Sequence, residues 1–506
     1  MKSIRKKIGD TLGAEKFSAS AMTALVLAVV AVLNVLLYTL VELFGLYLYK
    51  PESDDLTLSG ATDSLFASAI EDEKRVKIYF CLSEDEVKNH DTGSFVYTTA
   101  KYFEERYPEF IELDYVNIIT RRNKNGEIVS LSKYQTDMQG NETPIYGSSV
   151  IFECGNNYRV VTDSATAAGY SPFFTLNSEG VVTSYNGEEV MAAMISWVTS
   201  SEHKNAYFTQ YHGETADVSF SNLLSCAGYY VDVIDLRKNE VPEDADLLVI
   251  SNPTSDFEAA REGSGIRAEI DRVKTYASRG GNIYVELDPY VKTLPVLEGF
   301  LSECGIGFSS TAADNGKKIR NMIKDPRNAI TTDGFTLVTD FSDNELSKRI
   351  SDNVSRYTNG DVMVREASAL ELSKNAKPLL VTSSAAVLEA GGATVSTAGS
   401  FCVAAYAEVA SETATAKVFV IPSIYLAVSD SLVTDGYSNK DFVYSLLDEF
   451  FGADNLPYGC KPVIYDTQML ENLTMGVARL YTALIMLIPA AVAAVGVFVI
   501  VRRKNR

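Results

Sequence analysis

Histidine is scarce in this chain: His90, His203 and His212 are the only three in 506 residues. A metal centre built from several imidazoles is therefore not expected. The six cysteines (Cys81, Cys154, Cys226, Cys304, Cys402, Cys460) stand far apart, with no C-x-x-C pair and no zinc-ligand spacing. Most lie inside apolar runs, so buried thiols are expected ahead of a disulfide framework, although an even count leaves bridges open. No G-x-x-x-x-G-K-[ST] sequence occurs, which removes the lysine and glycine cradle a P-loop ATPase needs. The G-x-S-x-G elbow, H-E-x-x-H and G-x-G-x-x-G are missing too, and no cofactor is expected. Proline is also sparse, at 14 residues, while 46% of the chain is hydrophobic and 10% aromatic, enough apolar surface to offset chain entropy and exclude wholesale disorder.

Positive charge is scarce everywhere except at the two ends. Of the formal net charge of -21, residues 1–20 carry +3 and residues 502–506 carry +4, leaving -28 between them. So acidic a middle excludes electrostatic binding of nucleic acid. Two long uncharged runs lie beside the basic ends, from Phe17 to Val41 and from Leu480 to Val501. At 1.5 Å per residue each reaches the roughly 30 Å of a bilayer's hydrocarbon core, and Pro489 in the second costs one backbone hydrogen bond. No small-residue cleavage site follows the first in LFGLYLYK, so it reads as an anchor and not a signal peptide. Lys2, Arg5, Lys6, Lys7 and Lys16 precede the first run, and Arg502, Arg503, Lys504 and Arg506 follow the second. The expectation is a two-pass protein of the cell membrane, both termini cytoplasmic and the bulk extracytoplasmic.

That bulk reads as two α/β domains, residues 51–203 and 204–460, with 1–50 and 461–506 holding the anchors and their flanks. The polar PESDDLTLSGATDS stretch suggests a stalk or a strand-poor entry loop, with structure beginning near Arg75. Strand-like 76–82, a helical period over 94–110 and an alternating 111–119 form a strand, helix, strand unit. Residues 149–154 and 158–161 flank Gly155-Asn156-Asn157 as a hairpin, and an apolar helix follows Asn186-Gly187. The second domain alternates strands near 205–209, 229–234, 245–251 and 282–287 with helices near 220–226 and 264–278. Parallel strands with right-handed crossovers satisfy that order, giving a Rossmann-like sheet. Residues 310–375 look irregular, an insertion or peripheral layer. Beyond them come strand-like 379–382, 401–405 and 417–421 and an amphipathic helix over 441–451.

Ligands of open α/β sheets bind beyond the carboxyl ends of the strands. There the sequence places Gln210-Tyr211-His212-Gly213-Glu214 after one strand, Asn252 after another and Asp288 after a third. His212, Glu214, Asn252 and Asp288 are the candidate ligand-binding residues. His212 and Glu214 could exchange protons if aligned, yet a loop histidine beside a glutamate also reads as a structural hydrogen-bond pair. An amidotransferase would need a cysteine on a tight strand-to-helix turn, and the turn after 247–251 holds Asn252-Pro253-Thr254 instead.

The ordered set Tyr185-Asn186-Gly187-Glu188-Glu189, Tyr207 to Glu214, Val241 to Ile250, Gly280 to Pro289 and Leu379 to Ser383, between two anchors, resembles the GldG-like family. These are auxiliary components of ABC transporters, named from gliding motility, and the resemblance covers about residues 75–455 plus the anchors. It implies an inactive amidotransferase-like second domain, also compared with a domain of intraflagellar transport proteins. It further implies a non-catalytic auxiliary subunit partnered by an ABC permease and a cytoplasmic ATPase, with carbohydrate or peptide as a possible ligand. The family's commoner His-Gly-Glu context lacks Gln210-Tyr211. A cell-surface hydrolase using His212 and Glu214 with Asp288, or a ligand-sensing ectodomain, are the alternative readings.

Overall fold

Val76–Phe80 (β1) is an apolar run whose side chains are nearly all buried, and it seeds a four-stranded sheet. A computed structural model describes residues 58–90, 92–162, 172–176, 182–214, 218–259, 267–312, 318–433, 436–460 and 462–464, with Leu56. The two apolar runs from Phe17 to Val41 and from Leu480 to Val501 lie outside the described residues. Among the described residues no helix is long and apolar enough to cross a membrane.

Ala61–Glu71 (α1) precedes β1, so the polar stretch read as a stalk ends in a helix. Its inward face is only Thr62, Phe66 and Ala69, too narrow to register as a period, and Phe66 anchors it by packing on Phe103, Tyr107 and Phe110 at 6.0, 5.4 and 5.4 Å. Gly93–Arg106 (α2) buries Val96, Ala100 and Phe103 at the expected spacing. Ile111–Tyr115 (β2) then runs parallel to β1, and Ser149–Cys154 (β3) and Asn157–Thr162 (β4) form the expected hairpin. The strand order is β2-β1-β3-β4, which leaves β4 as an open edge. Gly187–Thr199 (α3) is almost entirely buried and packs on this sheet while reaching the second one.

The second sheet begins with Lys204–Thr209 (β5). Val218–Cys226 (α4), Tyr229–Ile234 (β6), Leu247–Ser251 (β7), Glu269–Ser278 (α5), Asn282–Glu286 (β8) and Pro295–Glu303 (α6) follow. Then come Ile306–Phe308 (β9), Thr336–Phe341 (β10), Glu345–Ser355 (α7), Val362–Arg365 (β11) and Leu370–Leu372 (β12). Lys377–Val381 (β13), Cys402–Ala410 (β14), Thr415–Ile421 (β15) and Asn439–Glu449 (α8) complete it. Eleven strands join, nine of them in the order β11-β10-β13-β14-β15-β8-β7-β5-β6, with β9 and β12 attached off that path.

The sheet is mixed. β6, β5, β7, β8 and β15 are parallel, as the strand-helix alternation demands. β14, β13, β10 and β11 pair antiparallel, so the expectation of a parallel sheet holds for one half. Residues 310–375 are likewise no mere peripheral insertion, because they supply β10, β11 and β12. Those strands are short and partly polar, and their pairing partners lie far away in sequence, so no local period marks them.

Register divides the faces. Leu248, Ile283 and Val418 form one row and Ile250, Val285 and Val420 another, both covered by Ile270 and Val273 of α5 and Leu297 and Phe300 of α6. Each such side chain contributes about 1.5–3 kcal/mol on burial. Val249, Tyr284 and Phe419 face the other way, where Phe220 of α4 packs 4.7 Å from Tyr284.

All six thiols are free, with Cys81, Cys226, Cys304 and Cys460 buried. Burial pushes Cys81 up to about 12 and Cys304 up to about 11, which keeps them protonated and unreactive near neutrality.

Candidate functional site

The loop after β5 turns sharply. Tyr211 adopts φ +81° and Gly213 φ +73°, the left-handed region. Gly213 has a second reason to be glycine, since a Cβ there would collide with Thr254 Oγ1. Tyr211 is non-glycine, exposed and capped by the Arg237 guanidinium 3.9 Å from its ring centre. Its neighbour His212 turns inward and is 3% exposed.

The ring of His212 is clamped on both nitrogens. Nδ1 lies 2.7 Å from Glu214 Oε1 and Nε2 lies 3.1 Å from Glu269 Oε2. Its face stacks on Phe257 at 4.1 Å with 8° between the planes. Ionised carboxylates only accept, so between two of them both nitrogens donate, the arrangement of an imidazolium. Burial pulls the His212 pKa down, but the Glu214 and Glu269 hydrogen bonds outweigh it and the net direction is up. Burial raises Glu214, and the His212 contact outweighs that to leave it lowered. The loop is pinned further by the backbone N–H of His212, which donates to Glu214 Oε2 at 2.6 Å, and by Thr254 and Ser255 N–H, which donate to His212 O at 2.9 and 2.8 Å. In this arrangement neither ring nitrogen is free to take a proton from a substrate.

Of the four candidates, the structure brings His212 and Glu214 together. Asn252 belongs to the turn whose Thr254 and Ser255 reach His212, yet its own side chain makes no contact with the imidazole among the described hydrogen bonds. It is buried with φ +53°, and its Oδ1 has no hydrogen-bond partner among the described residues. Ser251 Oγ beside it is likewise buried and unpartnered, in register with Glu286 on β8. At this turn, with its left-handed backbone, the chain carries an amide and no thiol. Asp288 stands apart, its Oδ1 accepting from Tyr290 N–H at 2.8 Å and its carbonyl from Arg320 Nη1 at 3.1 Å.

Glu269 and Phe257 complete the cluster and escape a reading of the sequence. Glu269 opens α5, whose period suggested an earlier start near Ser264, and it meets His212 across 57 residues. Its one local signal is an acid in a helical first turn, which the dipole alone explains.

A second aromatic cluster surrounds the single tryptophan. Trp197 of α3 stacks on His203 at 3.7 Å with 9° between planes, and Arg159 of β4 lies 4.9 Å from the ring centres of both Trp197 and Tyr230. Burial, reinforced by Arg159, pushes His203 down to about 4. Because a stacked imidazolium quenches indole emission, Trp197 fluorescence should fall with a midpoint near pH 4 and lose that step in His203→Asn. A midpoint near 6.5 would show instead that the imidazole is solvated.

The fold and cluster define a mixed α/β protein with a partly parallel sheet. No protein-family profile and no curated protein matches the chain. Among solved structures it is similar to the N-terminal domain of mmIFT52, at 16% identity and TM-score 0.36 over 48% of this chain and 96% of that one. It is also similar to a ThuA-like protein from Bacteroides uniformis, at 13% and 0.31 over 50% and 95%, and to PurLQS from Thermotoga maritima, at 12% and 0.28 over 49% and 99%.

Proposed function

We propose that this protein is a non-catalytic auxiliary subunit of an ABC-type transport system, anchored in the membrane by its two apolar runs, with an extracytoplasmic α/β region that binds substrate or partner. The observation that carries the non-catalytic half is the clamp on His212, a buried side chain whose two nitrogens are both engaged by carboxylates. A hydrolase built on His212 and Glu214 would need one nitrogen facing solvent and a nucleophile beside it, and the turn after β7 offers Asn252. The membrane half is supported by the two uncharged runs and their basic flanks, and the transport half by the ordered motifs that resemble those of the GldG-like family.

The test is purification of the tagged full chain from its native membrane in mild detergent. An ABC permease and its cytoplasmic ATPase should elute with it in constant proportion. Elution of the chain without either subunit would overturn the assignment.

A further inference from the structure

The parallel strands of the large sheet reverse their order at one point. β5 leads through α4 to β6 on one side, and the chain then crosses back to β7 on the other, so β5 lies between them. The loops after β5 and β7 lead to helices on opposite faces, and in open α/β sheets ligands lie at the carboxyl end of such a reversal. The His212 clamp is built there, from those two loops and the start of α5.

Three side-chain oxygens at this point are buried and have no hydrogen-bond partner among the described residues. They are Thr209 Oγ1 on the last residue of β5, Asn252 Oδ1 on the first residue beyond β7, and Glu269 Oε1 on the first residue of α5. These residues are only 3, 4 and 2% exposed, so bulk water does not satisfy them, whereas buried polar atoms are almost always paired. Register places Thr209 with Glu269. Phe208 pairs with Val249 and packs on Phe220 of α4, so Thr209, next along the strand, turns to the α5 face. The turn that carries Asn252 joins them through Thr254 and Ser255, whose N–H groups donate to His212 O. Ser251 falls on the α4 face by the same alternation and lies outside the set.

Charge gives the missing partner its sign. Glu214 and Glu269 flank a single imidazolium, all three side chains are nearly inaccessible, and two carboxylates against one cation leave a negative charge uncompensated. Among the described residues no lysine or arginine pairs with either carboxylate. Arg237, stacked on Tyr211 of the same loop, is bound to Asp235 instead, through Nε at 2.8 Å and Nη2 at 3.0 Å. A buried charge without a partner is costly, so a cation is favoured at this point and an anion repelled. The free atoms are a hydroxyl, an amide and a carboxylate oxygen, a set for a hard cation. Calcium gathers more oxygens and more carboxylates than this, which leaves a monovalent ion.

We propose that Thr209 Oγ1, Asn252 Oδ1 and Glu269 Oε1 hold a small monovalent cation where β5, β7 and α5 meet, its charge balancing the His212 clamp. The ion ties the ends of these three elements together. The site stands whether or not the chain associates with a transporter.

The experiment is thermal unfolding of the full chain in detergent, followed by Trp197 emission, in sodium, potassium, ammonium or tetramethylammonium chloride at equal ionic strength. Tetramethylammonium is the blank, since it offers neither a hard centre nor an N–H group. At least one of the three small ions should raise the melting temperature by about 2–4 °C above the blank. Which of them does so separates a metal ion from ammonium. Thr209→Val removes one oxygen and keeps the shape, and Asn252→Gly removes another at a position whose φ of +53° suits glycine. Each should lose at least half of the ion-specific rise, and the two together all of it. Equal melting temperatures in all four salts, or a rise that survives in both variants, overturns the proposal. A larger rise with calcium chloride at the same ionic strength also overturns it.

Discussion

Glu189→Ala should destabilise the folded chain by about 3–5 kcal/mol, the usual cost of stranding one member of a buried ion pair. Glu189 projects from α3 and meets Lys440 of α8 at 3.0 Å across 251 residues, while Tyr444 OH donates to its other oxygen at 2.6 Å. Lys440 Nζ also donates to Cys460 O at 2.6 Å. Burial works to lower the Lys440 pKa, and the fields of Glu189 and Asp441 outweigh it, so the net direction is up and the ammonium stays charged. Removing Glu189 leaves that charge with the Cys460 carbonyl and the weaker field of Asp441. The double variant Glu189→Leu with Lys440→Met should recover most of the loss, because a well-packed apolar pair has no charge to desolvate. Tyr444→Phe should cost less, about 1–2 kcal/mol, since it removes one hydrogen bond and no charge. Urea unfolding followed by Trp197 emission measures all three. A double-variant loss equal to the sum of the losses of Glu189→Leu and Lys440→Met measured singly would show that the pair has no energetic coupling.

His212→Ala should lower stability by a similar amount, roughly 3–5 kcal/mol, because two buried carboxylates would face each other with no cation between them. The stack on Phe257 would go as well. A catalytic histidine predicts the opposite pattern, lost turnover with stability within about 1 kcal/mol.

The pH dependence of the clamp has a definite sign. His212 has a raised folded pKa, so its contribution is complete below the unfolded value of 6.5 and fades as pH rises through the folded value. Glu214 has a lowered folded pKa, so its contribution is present above 4.5 and fades as pH falls through the folded value. The stability difference between the native chain and His212→Ala should therefore be largest between pH 4.5 and 6.5 and narrow on either side. A difference that is flat from pH 4 to 9 would mean the imidazole is not held as a cation.

The parallel half of the large sheet was legible because each strand there is a short apolar run followed by a helical period and a turn signal. β7, β8 and α5 announce themselves through Leu247–Ser251, Arg279-Gly280-Gly281 and the buried face of Ile270 and Val273. The antiparallel half was not, since β10 mixes polar and apolar residues with no period, β11 is only four residues long, and both derive their stability from pairing with strands beyond intervening segments. The site divides the same way. Glu214 stands two residues from His212 and could be paired on paper, whereas Glu269 and Phe257 arrive from α5 and the loop before it.

What the sequence determined by itself were properties that depend on local composition: the two uncharged runs with basic flanks, the acidic middle, the missing nucleotide and hydrolase motifs, and the helices and strands with a clear period. Only the tertiary structure decided which face His212 presents and what holds it, that Glu189 and Lys440 meet, and that Thr209, Asn252 and Glu269 gather at one end of the sheet. The reason is physical: hydrophobic period and turn propensity act over a few residues, while ion pairs, ring stacks and clustered oxygens depend on which distant segments share a wall.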